Sequence, residues 1–183
     1  MKYLLTTLIS LYIGLVQASV ITDKEAPNFA LMDSFGKTVS LSDFSGKNVV
    51  LEWTNHDCPF VAKHYKTGNM QSTQTYAQEN DAIWLTIISS APGTQGYVLS
   101  AKANELTASR NALPRHVLFD PEGNVGLTYG AKTTPHMYII DAKGTLRYQG
   151  AIDDAGGRGF NLKNLLEADN YVKNALKEIQ NNE

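Results

Sequence analysis

The chain has 183 residues, with 16 Lys and Arg, 18 Asp and Glu, and a single cysteine. At this length one domain is expected, with a core large enough to need no disulfide. One cysteine excludes an internal disulfide and a four-thiolate zinc or iron–sulfur site, and a formal net charge of −2 gives no electrostatic reason to expect nucleic acid or an anionic membrane surface as partner.

Met1–Ala18 reads as a secretory signal. Lys2 is the positive lead, Tyr3–Val16 is an uncharged apolar run, and Val16-Gln17-Ala18 is a small-residue cleavage site ahead of Ser19. The run is shorter than the roughly 20 residues of a membrane span, so cleavage with no lasting membrane anchor is expected. The mature chain, 19–183, is then a single domain exported across the inner membrane, to a periplasm. Oxidising compartments favour paired cysteines, which makes the lone Cys58 the central feature of the sequence.

Along the mature chain, Phe29–Leu31 and Thr38–Ser40 are short strand-like runs around the turn Asp33-Ser34-Phe35-Gly36, a hairpin pattern. Leu41–Phe44 suits one helical turn. Val49–Thr54 is a continuous, mostly apolar run, as in a central strand covered on both faces. After Cys58, the residues Phe60, Val61, His64 and Tyr65 take helical spacing; Thr67-Gly68-Asn69 interrupts it and Met70–Glu79 resumes. Ala82–Ser89 is a second strand, Ser90–Gly96 a surface loop, Tyr97–Ala112 a helix, His116–Phe119 a strand and Asn124–Tyr129 a brief helix. His136–Asp141 and Thr145–Gln149 alternate as a hairpin around Ala142-Lys143-Gly144. Leu162–Gln180 carries the apolar stripe of a long helix. The βαβ portion requires parallel strands with right-handed crossovers, and the hairpins add antiparallel ones. The expected class is α/β: a central mixed sheet flanked by helices, with an N-terminal β-hairpin extension.

Cys58 stands where the first core strand ends and a helix begins, with Pro59 in the position proline prefers, the first residue of a helix. The exposed N–H groups and positive pole of that helix stabilise a thiolate. His56, Lys63 and His64 add positive charge nearby; Asp57 and Glu52 oppose it. A buried cysteine packing as a small hydrophobe is the alternative, and the polar run Thr54-Asn55-His56-Asp57 argues against it. Glu52, inside an apolar run, is expected to be buried with a raised proton affinity, able to accept or relay a proton. Trp53 and Trp84 are expected in the core.

The stretch from Val49 through Cys58 and Pro59, followed by Thr133-Thr134-Pro135-His136-Met137-Tyr138-Ile139-Ile140-Asp141 and the Gly144 turn, resembles the thioredoxin fold, a three-layer sandwich. Within that fold the chain resembles the exported redoxin branch of the alkyl hydroperoxide reductase/thiol-specific antioxidant, or peroxiredoxin-like, superfamily, over roughly Ala26 to Ile179. The resemblance implies that Cys58 is the nucleophile and Pro135 a cis-proline against its sulfur. It implies that Glu52 is the carboxylate buried beneath the site. The cis bond would turn the Thr134 backbone toward the sulfur to bind substrate, so Thr134 and Pro135, with Pro59 and His56 beside Cys58, are the candidate substrate-binding residues, His56 standing equally as a solvated loop histidine. No cofactor and no metal are implied. The chain also departs from the pattern. Val61 stands where the second cysteine of C-x-x-C would be, and Asn55 where the peroxiredoxin pattern P-x-x-x-T-x-x-C has threonine. Arg115 and Arg147 are candidates for an arginine partner by residue type alone.

The combined reading is an exported monothiol oxidoreductase. Cys58 attacks a peroxide, giving a sulfenic acid, or a disulfide, giving a mixed disulfide, with a peroxide or general antioxidant role preferred. An external thiol reductant or disulfide partner protein then resolves the product. Two alternatives stand beside it: a non-catalytic binding protein holding Cu(I) through Cys58 with His56, His64, His136 or Met137, and a structural or chaperone-like redoxin.

Overall fold

The centre of the molecule is the strand β3 (Val49–Trp53), every residue of which is buried. In the computed structural model, which describes residues 20–156, 165 and 167–181, β3 pairs in parallel with β4 (Ile83–Ile88) and antiparallel with β6 (His136–Ile140). The expected signal lies outside the described residues. Two further pairings extend the sheet on the β4 side: β5 (His116–Phe119) runs parallel to β4, and the hairpin β1 (Ala30–Asp33) and β2 (Thr38–Ser40) joins β5 through β1. On the other side β7 (Leu146–Gly150) follows β6 antiparallel. The order is β2-β1-β5-β4-β3-β6-β7.

Parallel neighbours need crossovers. The first, between β3 and β4, is α1 (Pro59–Lys66) and α2 (Asn69–Glu79); the second, between β4 and β5, is α3 (Ser100–Ser109). Gly68 separates α1 from α2 with φ of +77°, a left-handed backbone that glycine adopts without penalty. A short helix, α4 (Asn124–Tyr129), precedes β6, and α5 (Tyr171–Asn181) closes the described chain.

Side-chain alternation along β3 divides the core in two. Leu51 and Trp53 face one layer with Leu85, Ile87, Tyr129 and Tyr138. Val50 faces the other, with Trp84, Met137 and Ile139 packed against Val61 and Tyr65 of α1, Met70 and Ala77 of α2, and Val172 and Leu176 of α5. Both tryptophans are core residues. The architecture is the expected mixed sheet between helical layers with a β-hairpin at its N-terminal side.

Two helices are shorter than their sequence patterns. The helix expected over Tyr97–Ala112 spans Ser100–Ser109. The long helix expected over Leu162–Gln180 is not continuous: Glu167–Asn170 are non-helical and α5 begins at Tyr171. Asn170 makes the break. Its side-chain Oδ1 accepts from Lys173 N at 3.0 Å, capping the new helix, while its Nδ2 donates to Thr73 Oγ1 at 2.8 Å and ties the cap to α2.

Candidate active site

Cys58 is the N-cap of α1, with extended backbone (φ −72°, ψ 124°) and Pro59 in the first turn. The thiol is free and half-buried. Its Sγ lies 3.1 Å from the carbonyl oxygen of Thr134, and the Thr134–Pro135 bond is cis. The chain segment expected to face the sulfur therefore does so, and it presents an acceptor to which the thiol donates. Pro59 is exposed at the helix start.

A cleft of ≈ 280 Å³ opens beside Thr134. It is walled by the ends of β3 and β4 (Trp53, Asn55, Ser89, Ser90) and by the Ala131–Thr134 loop. The Ser90–Gly96 loop, expected as a plain surface loop, is tied to the active-site loop. Asn55 Nδ2 donates to Gln95 O at 3.4 Å, Gln95 Nε2 to Asp57 O at 3.5 Å, and Asp57 N to Asn55 Oδ1 at 2.9 Å.

Six residues before Cys58, in β3, Glu52 has no exposed surface. Tyr65 stands seven residues after Cys58, on the same face of α1, and its hydroxyl donates to both carboxylate oxygens at 3.0 Å. Trp84 Nε1 donates at 2.9 Å and Thr86 Oγ1 at 3.1 Å. Burial outweighs these donors and raises the proton affinity of Glu52 above the ordinary carboxylate range. Burial, with the carboxylate of Glu52 beside it, raises that of Tyr65 as well.

A second cavity, of ≈ 30 Å³, reaches the residues that surround this carboxylate. Thr54, Tyr65 and Thr86 line it together with His56 and Arg110. His56, expected to meet substrate, lies on this cavity and not on the cleft at Thr134; its Nε2 is 3.3 Å from Asp57 Oδ1. Arg110, at the C-terminus of α3, donates from Nη2 to the His56 carbonyl at 3.3 Å and stacks 5.0 Å above the Tyr65 ring.

Several charges sit elsewhere than the sequence suggested. Lys63 and His64 do not flank the sulfur. Both are buried on the far side of α1, where Lys63 Nζ donates to Ala155 O at 2.5 Å. Asn69 Nδ2 donates to His64 Nδ1 at 2.8 Å and to Asp153 Oδ2 at 2.7 Å. Burial, which the nearby Asp153 only partly offsets, lowers the His64 imidazole to about 4, so it is neutral there. Arg147 pairs with Asp23 at 3.0 Å on the outer edge of the sheet, and Arg115 is exposed at the start of β5. The arginine that lines the cavity beside Tyr65 and His56 is Arg110, for which the sequence carried no local signal. Among the described residues, no three His, Cys, Asp or Glu side chains converge as metal ligands. His136 Nδ1 is engaged by the Tyr138 hydroxyl at 3.0 Å.

A free cysteine capping a helix just after a central strand, with a cis-proline opposite and a buried carboxyl group in that strand, defines a thioredoxin-fold redoxin. Residues 22–149 match the AhpC/TSA family, and the chain belongs to that family of oxidoreductases. It is 29% identical over 142 residues to thioredoxin peroxidase of Fasciola hepatica, covering 73% of this chain and 72% of that protein. It is 30% identical over 118 residues to the thiol-disulfide oxidoreductase ResA of Bacillus subtilis, covering 58% of this chain and 66% of ResA. Among solved structures, the exposed lipoprotein thioredoxin of Streptococcus pneumoniae superposes with a TM-score of 0.54 at 28% identity, covering 77% of this chain and 99% of that one. Among the described residues no helix is long and apolar enough to cross a membrane.

Proposed function

We propose that this protein is an exported monothiol oxidoreductase whose Cys58 exchanges with disulfides, an external thiol completing each cycle. The Cys58 thiolate attacks one sulfur of a partner disulfide, forms a mixed disulfide and expels the other sulfur as a thiolate. A second thiolate, from outside, then attacks the mixed disulfide and restores Cys58. Electrons and sulfur bonds balance with no cofactor. Glu52 serves as the buried proton reservoir for the departing thiolate.

The observation that carries this reading is the placement of Cys58 Sγ 3.1 Å from the Thr134 carbonyl. Cleaving a peroxide develops charge on a departing oxygen and requires donors aimed at it. Here the group facing the sulfur is an acceptor, and the guanidinium of Arg110 is occupied with His56 and Tyr65. Disulfide exchange keeps the charge on sulfur, and the Thr134 carbonyl beside Sγ offers an acceptor for a polypeptide substrate. The geometry thus favours the disulfide over the peroxide.

Intact-mass analysis tests the choice. The reduced protein is treated in parallel with glutathione disulfide and with a hydroperoxide. A glutathione adduct on Cys58 that added thiol removes, and that Cys58→Ser does not form, is the expected result. Gain of one oxygen with hydroperoxide and no adduct would move the function to peroxide reduction. An unmodified thiol in both arms would refute the oxidoreductase chemistry.

A further inference from the structure

A carboxyl group that supplies a proton in each cycle must recover it from solvent, and Glu52 is wholly buried. Its hydrogen-bond partners differ in what they can pass on. The indole of Trp84 donates and cannot relay. The hydroxyls of Tyr65 and Thr86 can relay, and both line the ≈ 30 Å³ cavity. The hydroxyl of Thr54, on the same cavity, sits beside the carboxyl group and lowers its proton affinity. Thr54 is 7% exposed, yet its Oγ1 completes no well-formed hydrogen bond. When Glu52 is protonated, its acidic O–H needs an acceptor, and Thr54 Oγ1 is a buried oxygen beside it that no well-formed hydrogen bond engages.

The cavity is large enough for about one water molecule. Apart from its threonines and Tyr65, its polar wall consists of His56 and Arg110. His56 is half-buried on this cavity, and its two ring nitrogens can accept a proton on one side and give it up on the other. Arg110 holds the His56 carbonyl and stacks on Tyr65, so one residue fixes both ends of the cavity. Asp57 Oδ1 orients the ring from the solvent side.

We infer that this cavity is the proton port of Glu52, with Thr54 as its inner relay, His56 as its outer proton carrier and Arg110 as the positioning residue between them. The inference rests on the exchange chemistry proposed for Cys58. In the cycle, the expelled thiolate takes the proton of Glu52 and leaves the carboxylate. The imidazolium of His56 returns a proton through the cavity and the Thr54 hydroxyl, and His56 recovers its own from solvent. Protons balance, and no bond between heavy atoms changes.

The experiment measures the rate of Cys58 exchange with glutathione disulfide in weak buffer, for wild type, Glu52→Gln, His56→Ala and Thr54→Val. His56→Ala should slow exchange at least about tenfold, and added imidazole should restore the rate saturably. In the Glu52→Gln background, neither His56→Ala nor imidazole should alter the rate further. Thr54→Val deletes a hydroxyl without a well-formed partner, so it should slow exchange while leaving the melting temperature at or above that of wild type. A wild-type rate in His56→Ala, or a slow rate that imidazole leaves unchanged, would overturn the inference. So would an unaffected rate in a folded Thr54→Val. These failures differ from failure of the exchange reading itself, in which wild type forms no glutathione adduct.

Discussion

Gly96 joins the fold to the site through a single close approach. Its φ is +84°, and a Cβ built on it would stand 2.5 Å from Asn55 Cγ. Gly96→Ala therefore meets two costs. A left-handed backbone disfavours an L side chain by about 1–2 kcal/mol. The Asn55 side chain must also swing aside, giving up the bond it accepts from Asp57 N at 2.9 Å and the weaker one it donates to Gln95 O. That loss adds about 1 kcal/mol. The sum, roughly 2–3 kcal/mol, corresponds to a fall in melting temperature of about 5–10 °C for a domain of this size.

Because Asn55 shapes the turn that delivers Cys58 to α1, the alkylation rate of Cys58 should change along with stability. The assay is thermal unfolding by circular dichroism together with Cys58 alkylation, for Gly96→Ala, Asn55→Ala and the double variant. In the double variant the methyl group has nothing to strike, so the remaining cost of Gly96→Ala should shrink to backbone strain, a coupling of about 1 kcal/mol. Additive single effects, or a Gly96→Ala protein that melts and alkylates like wild type, would mean that contact with Asn55 is not what requires glycine at position 96.

Two other predictions concern buried titratable groups. The folded protein resists protonating His64, so stability is full above its unfolded value near 6.5 and is lost as pH falls toward about 4. That loss is on the order of 2 kcal/mol by pH 4.5; His64→Gln should remove it, flattening the urea midpoint between pH 7 and 4.5, and an equal slope in the variant would count against the buried neutral imidazole. Glu52 has the opposite sense. Its folded proton affinity is raised, so the native state is favoured at low pH and loses stability as pH climbs above the unfolded carboxyl value. Glu52→Gln should therefore gain on wild type as pH rises from 5 to 8 in thermal melts, and a constant difference across that range would contradict a carboxyl group held against ionisation.

The parts of the fold written in local pattern were legible. Val49–Trp53 shows as a central strand because both its faces are covered and nearly every position is apolar. Pro59 marks the start of α1 because proline fits the first helical turn. The break before α5 was hidden, since an apolar stripe at helical spacing continues across Asn170 while the interruption comes from hydrogen bonds to Lys173 and Thr73. The site divides in the same way. Cys58 and Glu52 belong to one strand–helix unit. Arg110 comes from another crossover, and His64 is drawn inward through Asn69, which bonds to Asp153 84 residues further on. A polar residue on a helix face looks solvated until its distant partner is known.

The absence of a second thiol in the motif goes deeper than one substitution. Val61 is fully buried, and it packs in the cluster that contains Tyr65 and Trp84. Those two residues hold Glu52. The position that would carry a resolving cysteine in a C-x-x-C protein is therefore used here to support the buried carboxyl group, and a thiol placed there would face the core. Cys58 itself stays half-buried, against the Thr134 carbonyl. In the cycle proposed for Cys58, a resolving thiol must reach the mixed disulfide beside the Thr134 carbonyl, where the first disulfide partner also binds. Both half-reactions of that proposed cycle then share one approach, so the departing product must clear it before the resolving thiol enters, and the two partners should compete for the same surface.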